Sequence, residues 1–264
     1  MSDGELAELA ELAELAEEAA RMAGALLRER FLAGRESRVT SKSSPTDPVS
    51  EADLASQRTI RELIARRRPD DAFLAEEEGA DEAGSSGIRW VVDPLDGTVN
   101  FLYGIARWSV SVAVRDGQGT LAGVVHDPMA GETFTATRGG PARHNGEALR
   151  SRAADAPALA RSLVATGFGY GAELRARQGE VVARLLPLVR DIRRPGSAAL
   201  DLCDAALGRY DAYYEHGLSA WDVTAGALVC RCAGLEVREL AGGILAAPPA
   251  LAGELAAIVD TVGG

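Results

Sequence analysis

Two aspartates stand three residues apart in a short segment that directly follows an apolar run. The run is Trp90 to Val92, and the segment from Asp93 to Thr98 reads DPLDGT. Because Pro94 stops the strand that the apolar run predicts, the turn should point both carboxylates into one crevice, where a divalent cation could share them. A helix that starts near Thr98 would offer free N–H groups to a phosphate from the opposite side. The segment therefore favours a metal-assisted phosphate site over the alternative of an Asp-rich turn that only caps a helix.

Three further parts of the chain offer acidic candidates for the same site, and each has a purely structural alternative. Glu76 to Glu78 follow the apolar run Ala72 to Ala75, but three like charges in a row are also typical of a solvated loop. Asp222 opens a predicted helix, where its residue type suits an N-cap. Asp53 stands three residues after Ser50, as in a capping box ahead of an apolar helix, so its role stays open between capping and catalysis.

Other catalytic chemistries find little support in the sequence. The histidines His126, His144 and His216 are isolated, and neither a G-x-S-x-G nucleophile elbow nor a G-x-x-x-x-G-K-[ST] phosphate loop is present. Cys230 and Cys232 could form half of a metal site, but no second Cys or His cluster completes it, which favours two thiols in a helix. A covalent Ser or Cys mechanism and a P-loop nucleotide hydrolase are both disfavoured.

Composition and charge limit the partners that this chain can have. Its 264 residues are 47% hydrophobic, enough for one large domain or two closely packed halves. With 28 Lys and Arg against 39 Asp and Glu, the net charge of −11 disfavours binding to nucleic acid and to anionic membranes. No secretory signal and no apolar run of about 18 residues is visible. The three cysteines fit a reduced cytoplasmic protein. Because the net charge is negative, a phosphate substrate would need local positive charge at its binding site.

The elements that must position these residues divide the chain into two halves. Residues 1–150 predict an α+β half with a largely antiparallel sheet that carries most metal ligands, and residues 151–264 predict an α/β half that completes the metal and substrate site. In the first half we predict helices over 5–30 and 50–68, a loop over 37–48, strands over 72–75, 90–92, 108–114, 120–125 and 133–136, and a tight turn over 144–146. In the second half we predict strands over 163–165 and 211–214, helices over 179–189, 197–207 and 221–233, and a turn over 195–196.

Several motifs, taken in order along the chain, resemble the inositol monophosphatase family. They are Glu76-Glu77, the segment DPLDGTVNF from Asp93 to Phe101, and Trp221-Asp222. Residues 43–53, 123–125, 195–199 and 211–215 also resemble family segments, so the likeness covers nearly the whole chain. The resemblance implies a layered α-β-α-β-α sugar-phosphatase sandwich and a homodimer.

The resemblance also implies a role for each matching residue. A first magnesium ion would be held by Glu76, Asp93 and the backbone carbonyl of Leu95. A second would be held by Asp93, Asp96 and Asp222. The resemblance implies two or three Mg²⁺ per site. Thr98, linked to Asp53, would orient the attacking water. The remaining roles concern the substrate. The amides of Gly97 and Thr98 would receive the phosphate, and Asp96 and Asp222 would also contact the substrate. The side where inositol hydroxyls lie would be lined by Gly196, Ser197, Ala198 and Glu215.

Elementary electrostatics agrees with this reading, because an acidic crevice repels a phosphate dianion unless cations intervene. The sequence thus predicts a magnesium-dependent phosphoric monoester hydrolase, with myo-inositol monophosphate as the expected substrate. One alternative is a phosphatase of the same fold that acts on histidinol phosphate, a sugar bisphosphate or phosphoadenosine phosphate. Another, of a different class, is a non-catalytic partner in transcription or ribosome-related assemblies.

Overall fold

The computed structural model describes residues 3–34, 39–41, 48–77, 81–154 and 156–260. Its helices are α1 (Asp3–Ala33), α2 (Glu51–Arg67), α3 (Thr98–Leu102), α4 (Ala172–Leu185), α5 (Ala198–Leu207), α6 (Ala220–Cys232) and α7 (Pro249–Val259). Its strands are β1 (Val39–Ser41), β2 (Pro48–Ser50), β3 (Ala72–Ala75), β4 (Asp81–Glu82), β5 (Arg89–Asp96), β6 (Ser109–Asp116), β7 (Gly119–Asp127), β8 (Glu132–Thr137), β9 (Arg143–His144), β10 (Glu147–Ala148), β11 (Leu163–Thr166), β12 (Asp191–Arg193), β13 (Ala212–His216), β14 (Glu236–Leu240) and β15 (Gly243–Ala247). Single 3₁₀ turns lie at Leu159–Arg161 and Leu186–Leu188.

An eight-stranded sheet organises the first half, in the order β10-β9-β8-β7-β6-β5-β3-β4. Its strand pairs are antiparallel except for β3 and β5, which run parallel with Ala75 beside Val92. The largely antiparallel sheet predicted from the sequence is confirmed. The parallel pair matters for the site, because parallel strands end at the same edge of a sheet.

A five-stranded sheet organises the second half, in the order β12-β11-β13-β15-β14. Strand β11 runs parallel to both of its neighbours, whereas β15 is antiparallel to β13 and β14. This sheet contains both strands predicted after residue 151. It also contains β12, β14 and β15, which the sequence did not predict.

The two sheets and the helices form five layers. Helices α1 and α2 pack on the outer face of the first sheet, α5 and α6 lie between the sheets, and α4 and α7 cover the outer face of the second sheet. Gly123 of β7 permits the central contact, because a Cβ there would lie 2.9 Å from the Ala225 Cα of α6. The α-β-α-β-α sandwich is therefore confirmed. No helix among the described residues has the length and apolar character needed to span a membrane.

Three local predictions need correction. Strand β5 does not stop at Pro94 but continues to Asp96 with a register shift against β6, since a bulge tolerates a proline that cannot donate to the ladder. Part of the predicted loop over 37–48 forms the antiparallel pair β1–β2, while residues 37–38 and 42–47 lie outside the described chain. Helix α4 begins at Ala172, seven residues before the predicted start, and ends in a 3₁₀ turn.

Candidate active site

The edge where β3 and β5 end brings two separate acidic segments together. Ala75 pairs with Val92, and the residues that follow are Glu76 and Asp93. The Glu76 backbone N–H continues the pairing with a 3.3 Å hydrogen bond to the Val92 carbonyl. Both side chains line a cavity of about 420 Å³. Its other lining residues include Leu95, Asp96, Gly97, Thr98, Gly196, Ala198, Glu215 and Asp222.

Asp93 lies at the buried centre of the acidic cluster and is only 1% exposed. Its Oδ1 accepts a 3.0 Å hydrogen bond from the Leu95 N–H. Burial raises the pKa of Asp93 well above its usual range, and the negative charges of Glu76, Asp96 and Asp222 raise it further. Because these carboxylates destabilise one another's charge, divalent cations in the cavity would relieve the repulsion. The donor set therefore fits Mg²⁺, which favours carboxylate oxygens.

Asp96 joins the first half of the chain to helix α5 of the second half. Its carboxylate accepts hydrogen bonds from the Ser197 hydroxyl, from the Ala198 N–H at 3.1 Å and from the Ala199 N–H at 2.9 Å. The Ser109 hydroxyl lies 3.3 Å from the same carboxylate. Burial raises the pKa of Asp96, and the hydrogen bonds from α5 oppose that rise.

The acidic side chains that the structure describes line one cavity but do not stand in a complete coordination sphere. No three His, Cys, Asp or Glu side chains of the described residues stand close enough together to hold one ion. A carboxylate has about four acceptor positions, and four donors surround Asp96. Asp96 would therefore have to exchange some of these bonds for a bond to a cation.

Asp222 lies in the first turn of α6 and faces the same cavity. Its Oδ2 accepts a 2.6 Å hydrogen bond from the Ser219 N–H. Ser219, and not Asp222, is thus the N-cap residue, because the carboxylate reaches back from the third helical position. Burial raises the pKa of Asp222 well above its usual range, and the charges of Asp96 and Glu76 add to the effect.

Thr98 opens helix α3 and connects the cavity to helix α2. Its hydroxyl lies 3.0 Å from Asp53 Oδ1 and 3.1 Å from the Leu95 carbonyl. A hydroxyl has one proton, so Thr98 can donate to only one of these two acceptors at a time. Asp53 is fully buried in the first turn of α2, and the link to Thr98 that the resemblance implied is present. The capping alternative depends on the Ser50 side chain, which lies outside the description.

Gly97 forms the tight turn between β5 and α3. Its φ of 96° is in the left-handed region, and a Cβ would lie 3.1 Å from the Gly196 carbonyl and 3.2 Å from the Arg107 carbonyl. A side chain is disfavoured there both by conformation and by space. The chain can consequently bring the Gly97 and Thr98 backbone to the cavity wall.

Glu215 lies on β13 at another wall of the cavity. It is buried, and the Tyr213 hydroxyl donates a 2.7 Å hydrogen bond to its Oε2. Burial raises the pKa of Glu215 to about 7. Gly167 packs directly on this carboxylate, since a Cβ there would lie 2.0 Å from Oε2.

The predicted substrate residues of the α5 segment divide into two groups. Gly196 and Ala198 line the cavity beside Glu215. Ser197, in contrast, is fully buried behind the wall, where its hydroxyl contacts Asp96. Glu78, the third glutamate of the acidic run, lies outside the described residues, whereas Glu76 lines the cavity.

Two parts of the site, the loop over 167–171 and Arg194, were not predicted from the sequence. The loop Gly167–Gly171 lines the cavity with Phe168 and Tyr170, and Arg194 is the one basic residue among the described residues of that lining. The guanidinium carbon of Arg194 lies 6.0 Å from the centre of the Phe168 ring. The sequence does contain a signal for this loop, namely glycines at 167, 169 and 171 after a predicted strand. Such a glycine-rich segment lets the backbone approach a ligand closely.

Comparisons with known proteins agree with this geometry. The model of the inositol monophosphatase family matches residues 8–261. The chain is 45% identical over 239 residues to an inositol-1-monophosphatase of Mycobacterium bovis, covering 86% of this chain and 82% of that protein. It is 42% identical over 226 residues to the Nus factor SuhB of Pasteurella multocida, covering 85% and 84%. The crystal structure of the extragenic suppressor protein suhB from Bartonella henselae superposes with a TM-score of 0.88 at 32% identity, covering 95% and 99%.

Proposed function

Because the chain belongs to the inositol monophosphatase family, a family of metal-dependent phosphatases, we propose that it uses magnesium to hydrolyse myo-inositol monophosphate to inositol and phosphate. The observation that carries the proposal is the group of four mutually repelling carboxylates that line one cavity. A cavity of this charge accepts a phosphate dianion only with cations present. The backbone of Gly97 and Thr98 at the wall supports a phosphate position next to the carboxylates.

We assign the metal ligands by the positions of the carboxylates. Glu76, Asp93 and the Leu95 carbonyl would hold one ion, and Asp93, Asp96 and Asp222 another. When bound, such ions neutralise the phosphate and lower the pKa of water. The chain itself contributes the ligands: the ends of β3 and β5 carry Glu76, Asp93 and Asp96, and the first turn of α6 carries Asp222.

Thr98 is proposed to orient the attacking water, and Asp53 to orient Thr98. When the Thr98 hydroxyl donates its proton to Asp53, its oxygen keeps lone pairs that can accept a hydrogen bond from water. The water's oxygen would then face the phosphate. The pair thereby fixes a direction of attack, which is a geometric contribution to the rate.

A panel of phosphate esters tests the proposed substrate. Phosphate release by the purified protein with Mg²⁺ should be fastest with myo-inositol monophosphate, compared with histidinol phosphate, fructose bisphosphate and phosphoadenosine phosphate. A higher kcat/KM for histidinol phosphate would refute the substrate assignment and leave the metal chemistry standing. Absence of release from every ester would refute the phosphatase function.

Glu215→Gln should weaken hydrolysis of inositol phosphate several-fold and leave a generic aryl phosphate nearly unchanged. The carboxylate can accept hydrogen bonds from ring hydroxyls, whereas the phosphate and metals are proposed to lie at the other carboxylates. The measurement is kcat/KM for both substrates with each protein. Equal losses on both would indicate damage to the fold or metal site, and no loss on either would show that Glu215 has no substrate role.

The same substitution should change how stability depends on pH. The pKa of Glu215 is raised from 4.5 to about 7, so below pH 4.5 the carboxyl is protonated in both folded and unfolded chains. Above that pH the unfolded chain ionises first, and the wild type loses stability until pH reaches about 7. Glu215→Gln avoids this loss, so its stability relative to the wild type should rise by about 3 kcal/mol between pH 4.5 and pH 7, since each unit of pKa shift contributes about 1.4 kcal/mol. Metal-free denaturant unfolding of both proteins across pH 4–8 measures the difference, and a pH-independent difference would contradict it.

A binding role is the second candidate function, and it is favoured by the relative named Nus factor SuhB. Under this proposal the chain docks in a transcription or ribosome-related assembly.

We also propose a homodimer, supported by the exposed apolar side chains of Tyr103 and Ile105, which are 72% and 51% exposed. Light scattering would give the mass in solution, and a monomer at micromolar concentration would contradict the dimer.

A further inference from the structure

The Asn100 side chain of helix α3 joins the two halves of the chain next to the active site. Its Nδ2 donates to the Arg107 carbonyl at 2.7 Å and to the Pro195 carbonyl at 2.9 Å. An amide NH₂ carries two protons, so both hydrogen bonds can form at once, and two carbonyl partners fix the orientation of the amide. Asn100 is 5% exposed, which means that water cannot easily replace either bond.

Arg107 contacts the same region of the second half through its side chain. Its Nη2 lies 3.1 Å from Asp201 Oδ1 and 2.6 Å from Asp204 Oδ2, and both aspartates belong to α5. The two carboxylates raise the pKa of the guanidinium above its usual range although burial opposes the rise. The Arg107 backbone is therefore fixed to Asn100, and its side chain is fixed to α5.

The turn before α5 is packed tightly against this arrangement. Gly196 has a φ of 99°, and a Cβ there would lie 2.9 Å from Asn100 Nδ2. Ser197 follows directly, and its hydroxyl contacts Asp96. Asn100 thus binds the backbone just before Ser197, and Arg107 binds Asp201 and Asp204 further along α5. The residues between these two contacts, 197–199, donate the hydrogen bonds to Asp96.

We propose that Asn100 is a positioning residue for Asp96, acting through the first turn of α5. The side chain holds the Pro195 carbonyl, which places the Ser197 hydroxyl and the Ala198 and Ala199 amides against the carboxylate. Asp96 is thereby kept at the cavity wall in one orientation, and Arg107 supports the same helix. The effect on catalysis rests on the proposed function, whereas the effect on α5 does not.

Hydrogen exchange of the first turn of α5 tests the positioning without using activity. Asn100→Leu keeps the size of the side chain and removes both donors, and Asn100→Ser keeps one donor. We expect exchange of the Ala198 and Ala199 amides to accelerate at least about tenfold in Asn100→Leu and less in Asn100→Ser. Ser162→Ala is the matched control, because it also removes a part-buried hydrogen bond from a side chain to a carbonyl, that of Ala158, in the second half. Exchange at α5 in this control should equal that of the wild type.

Kinetics then separate positioning from simple stabilisation. Per folded molecule, Asn100→Leu should lower kcat about tenfold and raise the Mg²⁺ concentration for half-maximal activity, and Asn100→Ser should restore part of both. Lower unfolding stability with unchanged exchange at α5 and unchanged Mg²⁺ dependence would overturn the proposal. If Asn100→Leu fails to fold, Asn100→Ser decides by the same two measurements. If the wild type releases no phosphate, the proposed function fails, and the exchange result still decides the role of Asn100.

Discussion

Asp93→Asn is expected to lower kcat for phosphate release by about 10³-fold or more. Burial raises the pKa of Asp93 most, and the charges of Glu76, Asp96 and Asp222 raise it further, so three neighbouring carboxylates oppose its charge. It is also the residue assigned to both proposed ions. An amide removes the negative charge that both would share, and loss of such electrostatic stabilisation costs about 10²–10³-fold per interaction. Steady-state phosphate release with saturating Mg²⁺ measures the effect.

Asp53→Asn is the matched control for Asp93→Asn, since both replace a buried carboxylate by an isosteric amide. Asp53 contacts Thr98 and is assigned no metal, so we expect a smaller loss of about tenfold. Equal losses in the two variants would contradict the assignment of Asp93 to both ions. Lower thermal stability with normal turnover in Asp53→Asn would show that the residue serves helix α2 and not the reaction.

Asp96→Asn is expected to lower phosphate release severely while leaving a docking function intact. The amide supplies one acceptor oxygen in place of two, so it cannot keep the bonds to Ser197, Ala198 and Ala199 and also bind a cation. We expect a loss of about 10³-fold in kcat. Circular dichroism and thermal unfolding provide the control that the variant is folded.

The binding candidate is tested with the same Asp96→Asn protein. Retained binding to a purified transcription complex, together with lost catalysis, would show two separable functions. Loss of both would tie binding to the intact site. Retained phosphate release would contradict the role given to Asp96.

Elements with strong local patterns could be predicted from the sequence. Helix α1 shows leucines at intervals of three with alanines between them, and strands β3 and β5 show short apolar runs before acidic residues. Strand β14 reads EVREL, in which apolar and polar residues do not alternate regularly, so the sequence carries no clear strand signal there. The continuation of β5 through Pro94 was missed because the bulge that accommodates the proline depends on pairing with β6.

The site could be predicted where its residues follow strand ends, and not where it depends on distant parts of the chain. Glu76 and Asp93 meet because β3 and β5 are parallel neighbours. The contact between Asp96 and Ser197 joins residues 101 positions apart, and the contact from Asn100 to the Pro195 carbonyl joins residues 95 apart. Local spacing carries no information about such pairs. For the same reason Ser197 was expected at the substrate but lies behind the wall.

The most direct test of the account is the metal dependence of phosphate release from myo-inositol monophosphate. After exhaustive chelation the purified wild type should have no measurable activity, and added Mg²⁺ should restore it. Ca²⁺ should restore little, because its longer bonds and looser geometry would misplace the attacking water. Full activity of the chelated protein would contradict the proposal that the buried carboxylates of this cavity act by holding magnesium.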